Sequence, residues 1–441
     1  MKALASAASL GLLLVTASSC GDSSDLTPVA PRAVTASVAD EVPTLVSVSW
    51  STDVPSIGYV EYGNGELTTL TTPFTPEATS HSLELRGLLP DTHYDFRVVT
   101  WGGGDAGRSP PHSFETGEFS VTLPRFESEG DERAGFIILP LPELNLVSIL
   151  NPQGQVVWAH SDDGGLPVYR ARLSADGDSI LYNRAGPLLA PVAESAIVRV
   201  SFDGSELAEV TIPMLGADFV EHPDGTLAAL VSETRETNGV LAQGDKIVEI
   251  SRDGSMTDVW STWDSFEAPT TEQDGGWSFA NALDYNDSEQ AYYVGLSNLS
   301  SIAKVDRAQG TCEWVLGANA QNFGFSADSE PFLHQSQFHV AGNRLLVSDG
   351  ADLQVARVIE YQLDFTDQIA AQVGSFSSDT DSMASTLGEP TRFPGGETLV
   401  NWGSQGRLER FDKDGNPVWQ LSAADTAFGY HTLAATLTPS D

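Results

Sequence analysis

The chain has 441 residues, with 61 acidic side chains against 22 basic ones and a formal net charge of −39. A field of that sign repels nucleic acid and anionic lipid surfaces, and no cluster of Lys or Arg offsets it, so neither is an expected partner. The acidity is spread along the chain, which points to a solvated surface rather than an acidic binding tail.

Residues 1–20, MKALASAASLGLLLVTASSC, carry one basic residue, Lys2, then an apolar core from Leu10 to Val15, then small residues ahead of Cys20. This is the layout of a secretory signal. Ala17-Ser18-Ser19-Cys20-Gly21-Asp22 resembles the lipobox of bacterial lipoproteins, although leucine is usual where Ala17 stands. The resemblance implies an exported protein of the bacterial cell envelope, lipidated on Cys20 and touching a membrane only through that anchor. No other apolar run approaches the roughly 18 residues a spanning helix needs. The second cysteine, Cys312, lies beside Trp314 in an expected strand and reads as a buried thiol, so no intrachain disulfide is expected.

Residues 21–31 form a polar tether, and residues 32–117 read as a compact all-β module of alternating strands: VSVSW up to Trp50, GYVEYG around Tyr59, HSLELRGL, then DTHYDFRVVTW. Trp50 and the run Leu88-Leu89-Pro90-Asp91-Thr92-His93-Tyr94 resemble the core tryptophan and tyrosine corner of fibronectin type III domains. That likeness implies a structural duty for Tyr94 and a spacer or docking role for the module.

Residues 118–135 read as a linker, and from residue 136 the chain repeats. Polar turns centred on Gly154, Gly204, Gly254, Gly310, Asp364 and Gly415, each flanked by apolar runs, recur at a period of about fifty residues, the length of a propeller blade. A second series, at Gly177, Gly225, Asp287, Gly342 and Gly396, runs between the first. Two hairpins per repeat give four strands, so residues 136–441 are expected to form a six-bladed β-propeller in an all-β protein, monomeric and preceded by the small sandwich.

GADFVEHPDGTLAAL, KIVEISRDGSMTDVWSTWD, GWSFANALDYN, SSIAKVDRAQGTCEWVLG, QFHVAGNRLLVSDG and ARVIEYQLD resemble, in order and spacing, the bacterial arylsulfate sulfotransferase family. The resemblance implies transfer of a sulfuryl group between phenols through a sulfated histidine, without a nucleotide donor or other cofactor. Such chemistry needs a nucleophilic imidazole and further His and Arg side chains to neutralise the sulfate oxygens.

At the positions where the family carries these groups, this chain has Ser336 after Gln335, Phe279 between Trp277 and Asn281, Ser297 in place of an arginine, and Ala217 ahead of Asp218-Phe219. No serine forms a sulfo-histidine, and no phenylalanine holds a sulfate. His334 and His339 flank Ser336 and are the alternatives should the imidazole have moved; His222, in a polar turn, is a weaker one. The expected function is therefore binding of a small-molecule or cell-surface ligand at the channel mouth, with Trp277, Asn281, Gln335 and Arg357 as candidate ligand contacts. The alternative is an active sulfotransferase with a rearranged histidine site. The chain has no His-Glu-x-x-His, Cys-x-x-Cys or phosphate-binding loop. The plentiful carboxylates could suit Ca²⁺ in a turn or in the central channel, and DYNDSE at 284–289 is the densest oxygen-rich turn, with a solvated loop the better reading.

Overall fold

The computed structural model describes residues 28–65, 70–102, 104–130, 135–237, 239–267, 276–318, 322–350, 356–378 and 386–438. The signal segment and Cys20 lie outside them. Among the described residues no helix is long and apolar enough to cross a membrane.

The N-terminal module is a curled sheet built round one long strand, Val46–Gly63. Its first half pairs with Arg32–Val38 and Ala78–Leu85, and its second half with His93–Trp101. A strand this long can serve both halves only by curling, and the inward alternation of Val46, Val48, Trp50, Val60 and Tyr62 fills the space enclosed. Tyr94 closes the corner, its hydroxyl accepting the backbone N–H of Leu89 at 3.0 Å. His93 points outward, beside Asp95 and Glu115.

Six sheets, each with four antiparallel strands, follow as the blades of a propeller, and the fifth also carries Gly324–Phe325 parallel to its outer strand. Every turn of the first series joins the third and fourth strands of a blade. At Gly204, for example, φ is +91°, and its N–H donates to the Ser201 carbonyl while Ser201 N–H donates to Ser205. That left-handed residue costs an L side chain energy, which is why glycine recurs there. The second series joins the first and second strands. It has five members because the innermost strand of blade 1, Thr432–Ala434, comes from the far end of the chain and pairs with Phe136–Leu141.

Closure is double. Within the segment expected as a linker, Phe126–Gly130 adds to the outer edge of blade 6 against Pro417–Ala423, and Trp419 Nε1 donates to Ser128 Oγ at 3.0 Å. The last blade is thus capped from the N-terminal side and the first completed from the C-terminal side. The N-terminal module packs against this seam: Val42 and Leu45 join Trp158, Phe202 and Leu437 in one apolar cluster. Arg86 Nη1 donates to the carbonyls of Gly177 and Leu437, at 3.0 and 2.9 Å, with its guanidinium 4.0 Å over the Phe202 ring.

Candidate functional site at the propeller axis

Six strands line the axis: Thr432–Ala434, Val168–Leu173, Leu215–Glu221, Ala280–Asn286, Phe338–Ala341 and Gly388–Arg392. Each is the innermost strand of its blade, so all run the same way and all begin at one face of the ring, called here the entry face. The positions singled out in the sequence gather there. Trp277 and Phe279 immediately precede the blade 4 strand that holds Asn281; Gln335 and Ser336 precede the blade 5 strand; Ala217 opens the blade 3 strand; Ser297 follows Ala291–Leu296.

Contacts tie most of them together. Ser297 N–H donates to the Phe279 carbonyl at 3.0 Å, and Asn281 Nδ2 donates to the Gln335 carbonyl at 2.9 Å. Phe279 and Ala217 wall the same narrow cavity of about 10 Å³. The Ser336 side chain lies beside the Tyr430 phenol. Trp277 is held by its N–H on the Gln243 carbonyl, 2.8 Å, and by an edge contact with Trp263 at 5.3 Å. Beneath this loop the buried carboxylate of Asp245 accepts from Ser278 Oγ at 2.6 Å, Ala280 N–H at 2.8 Å and Ser232 Oγ at 3.0 Å. Burial pushes Asp245 up to about 6 in spite of those three donors.

Three buried atoms of this group, Trp277 Nε1, Asn281 Oδ1 and Gln335 Oε1, have no hydrogen-bond partner among the described residues. Buried polar atoms are nearly always paired with protein, water or ligand. Trp277, Asn281 and Gln335 thus have hydrogen-bonding capacity left over at the mouth.

The remaining candidates are placed elsewhere. His334 is exposed in a left-handed turn, φ +47°, with its backbone N–H on Ser300 Oγ. Arg357 lies on the third strand of blade 5 and is engaged by two carboxylates, Asp349 at 2.7 Å and Glu330 at 2.8 Å. His339 lies farther along the axis than Ser336, where burial lowers its pKa and Asp284 and Glu389 act to raise it. His222 is buried between blades 3 and 4 with Nε2 2.7 Å from the Tyr292 hydroxyl. Cys312 is half-buried with Sγ 3.5 Å from the Trp314 carbonyl, and burial pushes the thiol up to about 11. In the turn at 284–289, Asn286 Oδ1 accepts from Ser288 and Glu289, and no group of three or more His, Cys, Asp or Glu suited to a metal occurs among the described residues.

Deeper in the axis lies a buried ionic network that sequence reasoning missed. Arg170 donates through Nε to Asp218 Oδ1 at 2.8 Å, through Nη2 to Asp218 Oδ2 at 3.1 Å, and through Nη1 to Glu389 Oε1 at 2.8 Å and the His431 carbonyl at 2.9 Å. Its guanidinium lies 4.9 Å over the Tyr430 ring, and His431 Nδ1 is 3.0 Å from Glu389 Oε2. Asp218 also accepts from Gln337 Nε2 and the N–H groups of Leu283 and Phe219, at 2.9, 3.0 and 2.9 Å. Burial acts to raise the Glu389 carboxyl, but Arg170 and His431 outweigh it and hold it down at about 2. Five blades and the last connection meet here, so the network crosses the axis as a plug. The only hint in the sequence was a pair of arginines, Arg170 and Arg172, in an otherwise apolar strand.

Residues 142–344 match the model of the arylsulfotransferase (ASST) family, and residues 31–116 that of the purple acid phosphatase N-terminal domain, where the sequence had suggested a likeness to fibronectin type III. The chain therefore carries an arylsulfotransferase-like propeller behind a separate N-terminal β module. No curated protein matches it. Similar solved structures include a protein of unknown function from Bacteroides caccae, with 15% identity, 68% of this chain and 99% of that chain covered, and a TM-score of 0.43. Virginiamycin B lyase from Staphylococcus aureus is similar at 13% identity, 67% and 88% coverage and a TM-score of 0.41. A putative 6-phosphogluconolactonase from Bacteroides fragilis aligns at 12% identity, 87% and 98% coverage and 0.38.

Proposed function

We propose that this arylsulfotransferase-like propeller has lost sulfuryl transfer and binds a small ligand at the entry face. The observation that carries the reading is Ser336. It stands where the family resemblance puts the nucleophilic imidazole, beside the Tyr430 phenol, and Phe279, Ser297 and Ala217 stand at the positions where that resemblance puts sulfate-neutralising groups. The nearest arginines are committed: Arg170 makes four hydrogen bonds within the plug, and Arg357 is held by Asp349 and Glu330. A sulfuryl group arriving at this mouth would lack the His and Arg donors of the family pattern, and loss of one such donor typically costs about 10²- to 10³-fold in rate. Trp277, Asn281 and Gln335 supply the ligand contacts instead, and the N-terminal module serves as a spacer or docking unit. On the same reading the protein is exported and held by lipid on Cys20.

The test is transfer from 4-nitrophenyl sulfate to a phenol acceptor. The expected result is no release of 4-nitrophenolate above background and no sulfated histidine by mass spectrometry. The triple variant Ser336→His, Phe279→His, Ser297→Arg should bind the aryl sulfate more tightly than the parent. Turnover that vanishes in His334→Ala or His339→Ala would overturn the reading in favour of a rearranged histidine site.

A further inference from the structure

The plug divides the axis, and the half away from the entry face has a cavity of its own. It measures about 220 Å³ and is lined by Arg172, Asp284, Thr432, Glu221, Tyr285 and short apolar side chains. That is below the roughly 300 Å³ at which drug-sized ligand sites begin. Glu221 is already occupied by Arg199 and by the Ala175 N–H at 2.7 Å, and the Tyr285 hydroxyl accepts from Arg307 Nη1 at 3.3 Å.

The other three groups have capacity left. Arg172 uses Nε on the Phe219 carbonyl, 2.8 Å, and Nη2 on Asp218, 3.3 Å. Its Nη1 makes no hydrogen bond among the described residues. Asp284 accepts the Tyr285 N–H at 2.9 Å through Oδ1, and its second oxygen has no such partner. The Thr432 hydroxyl is buried and likewise unpartnered among the described residues. Arg172 and Asp284 face one cavity from blades 2 and 4 without closing into an ion pair.

The geometry points to a site for a small zwitterion of the α-amino-acid type, its carboxylate on Arg172 and the Thr432 hydroxyl and its ammonium group on Asp284. The electrostatics agree. Burial and the neighbouring Arg170 disfavour the charge on Arg172 more than Asp218, Glu389 and Asp284 restore it, and burial raises Asp284 in spite of His339 and Arg172. Each half-buried charge is therefore incompletely compensated, a situation in which an added counter-charge is stabilising. A simple anion would satisfy Arg172 but meet Asp284, and a simple cation would meet Arg172. A molecule carrying both charges close together satisfies both groups and adds no net charge.

The site is independent of the entry-face reading and is tested separately. Isothermal titration of the full chain near neutral pH with glycine, L-alanine and L-serine should show binding by at least one of them. Acetate and ethylamine, which each carry half of the recognition, should bind at least tenfold more weakly. Asp284→Asn and Thr432→Val, both close in shape to the parent, should keep the thermal midpoint within a few degrees and weaken amino-acid binding, Asp284→Asn by tenfold or more. The proposal is overturned if none of the three amino acids binds, if acetate binds as tightly as they do, or if Asp284→Asn binds undiminished.

Discussion

Arg170 and Asp218 are 48 residues apart in sequence and meet in a two-pronged ion pair that is almost wholly hidden from solvent. Removing one member of such a pair leaves the other buried without its counter-charge, typically at a cost of about 3–5 kcal/mol. Arg170→Met should therefore lower the unfolding free energy of the propeller, as measured by urea titration, by an amount in that range, or abolish folding. A loss below about 1 kcal/mol would show that Gln337 and the backbone N–H groups of Phe219 and Leu283 suffice to hold Asp218.

Asp245 sets a pH dependence of definite sign. Its carboxyl titrates at about 6 in the folded chain, against an ordinary 3.8, because burial outweighs the hydrogen bonds from Ser278, Ala280 and Ser232. Between those two values the native state holds the proton more tightly than the unfolded chain. Stability therefore falls as pH rises from about 4 to about 6 and stays lower above it, by up to ~3 kcal/mol at about 1.4 kcal/mol per pKa unit. Asn fits the same three partners without the charge. Asp245→Asn should flatten this limb and raise stability at pH 8, as urea unfolding at pH 4.5, 6 and 8 would record. Glu389 acts oppositely: held at about 2, it contributes stability that is full above its ordinary pKa near 4.5 and is lost as pH falls towards 2. The Asp245→Asn variant should keep that acid limb, and an unchanged slope between pH 4 and 6 would rule out the role given to Asp245.

Two turn glycines separate backbone strain from steric clash. Gly415 has φ +86°, and a Cβ there would meet nothing nearer than the Phe376 ring at 4.0 Å; Gly310 has φ +63°, and its Cβ would stand 2.2 Å from the Val259 carbonyl oxygen. Gly415→Ala should cost about 1–2 kcal/mol, the price of a left-handed L residue. Gly310→Ala should cost clearly more, because backbone must move as well. Equal losses in thermal unfolding would mean that the neighbouring blade yields freely at Val259.

The blades were legible because their hairpins are local. An apolar run, a left-handed turn residue and a second apolar run lie within some fifteen residues, and both turn series fall on real hairpins. Closure was not, since Ile138 pairs with Thr432, and nothing in either segment announces the other. The strand at Phe126–Gly130 escaped for another reason: beyond Phe126 its side chains are exposed, so it lacks the apolar alternation that marks a half-buried strand. Trp277, Asn281, Gln335, Ser336, Phe279 and Ser297, singled out by family resemblance, lie at the ends of strands that share one face. Arg357, expected among the ligand contacts, is held instead by Asp349 and Glu330, partners 8 and 27 residues away in the chain that the sequence did not announce. The buried network left only the faint mark of two arginines in an apolar strand.

The double closure also sets an order of events in time. Bringing Thr432 to Ile138 closes a loop of nearly 300 residues, and the entropy of doing so exceeds that of a ten-residue hairpin by about 3 kcal/mol. Five blades can assemble as the chain emerges, but blade 1 waits with an open inner edge until the last strand arrives. The plug completes at the same moment, because His431 and Tyr430 immediately precede that strand. Until residues 430–434 are in place, Arg170, Asp218 and Glu389 lack the cover of Tyr430 and His431. A chain stalled or clipped just short of residue 430 would be a nearly finished ring with neither its seam nor its central charges sealed.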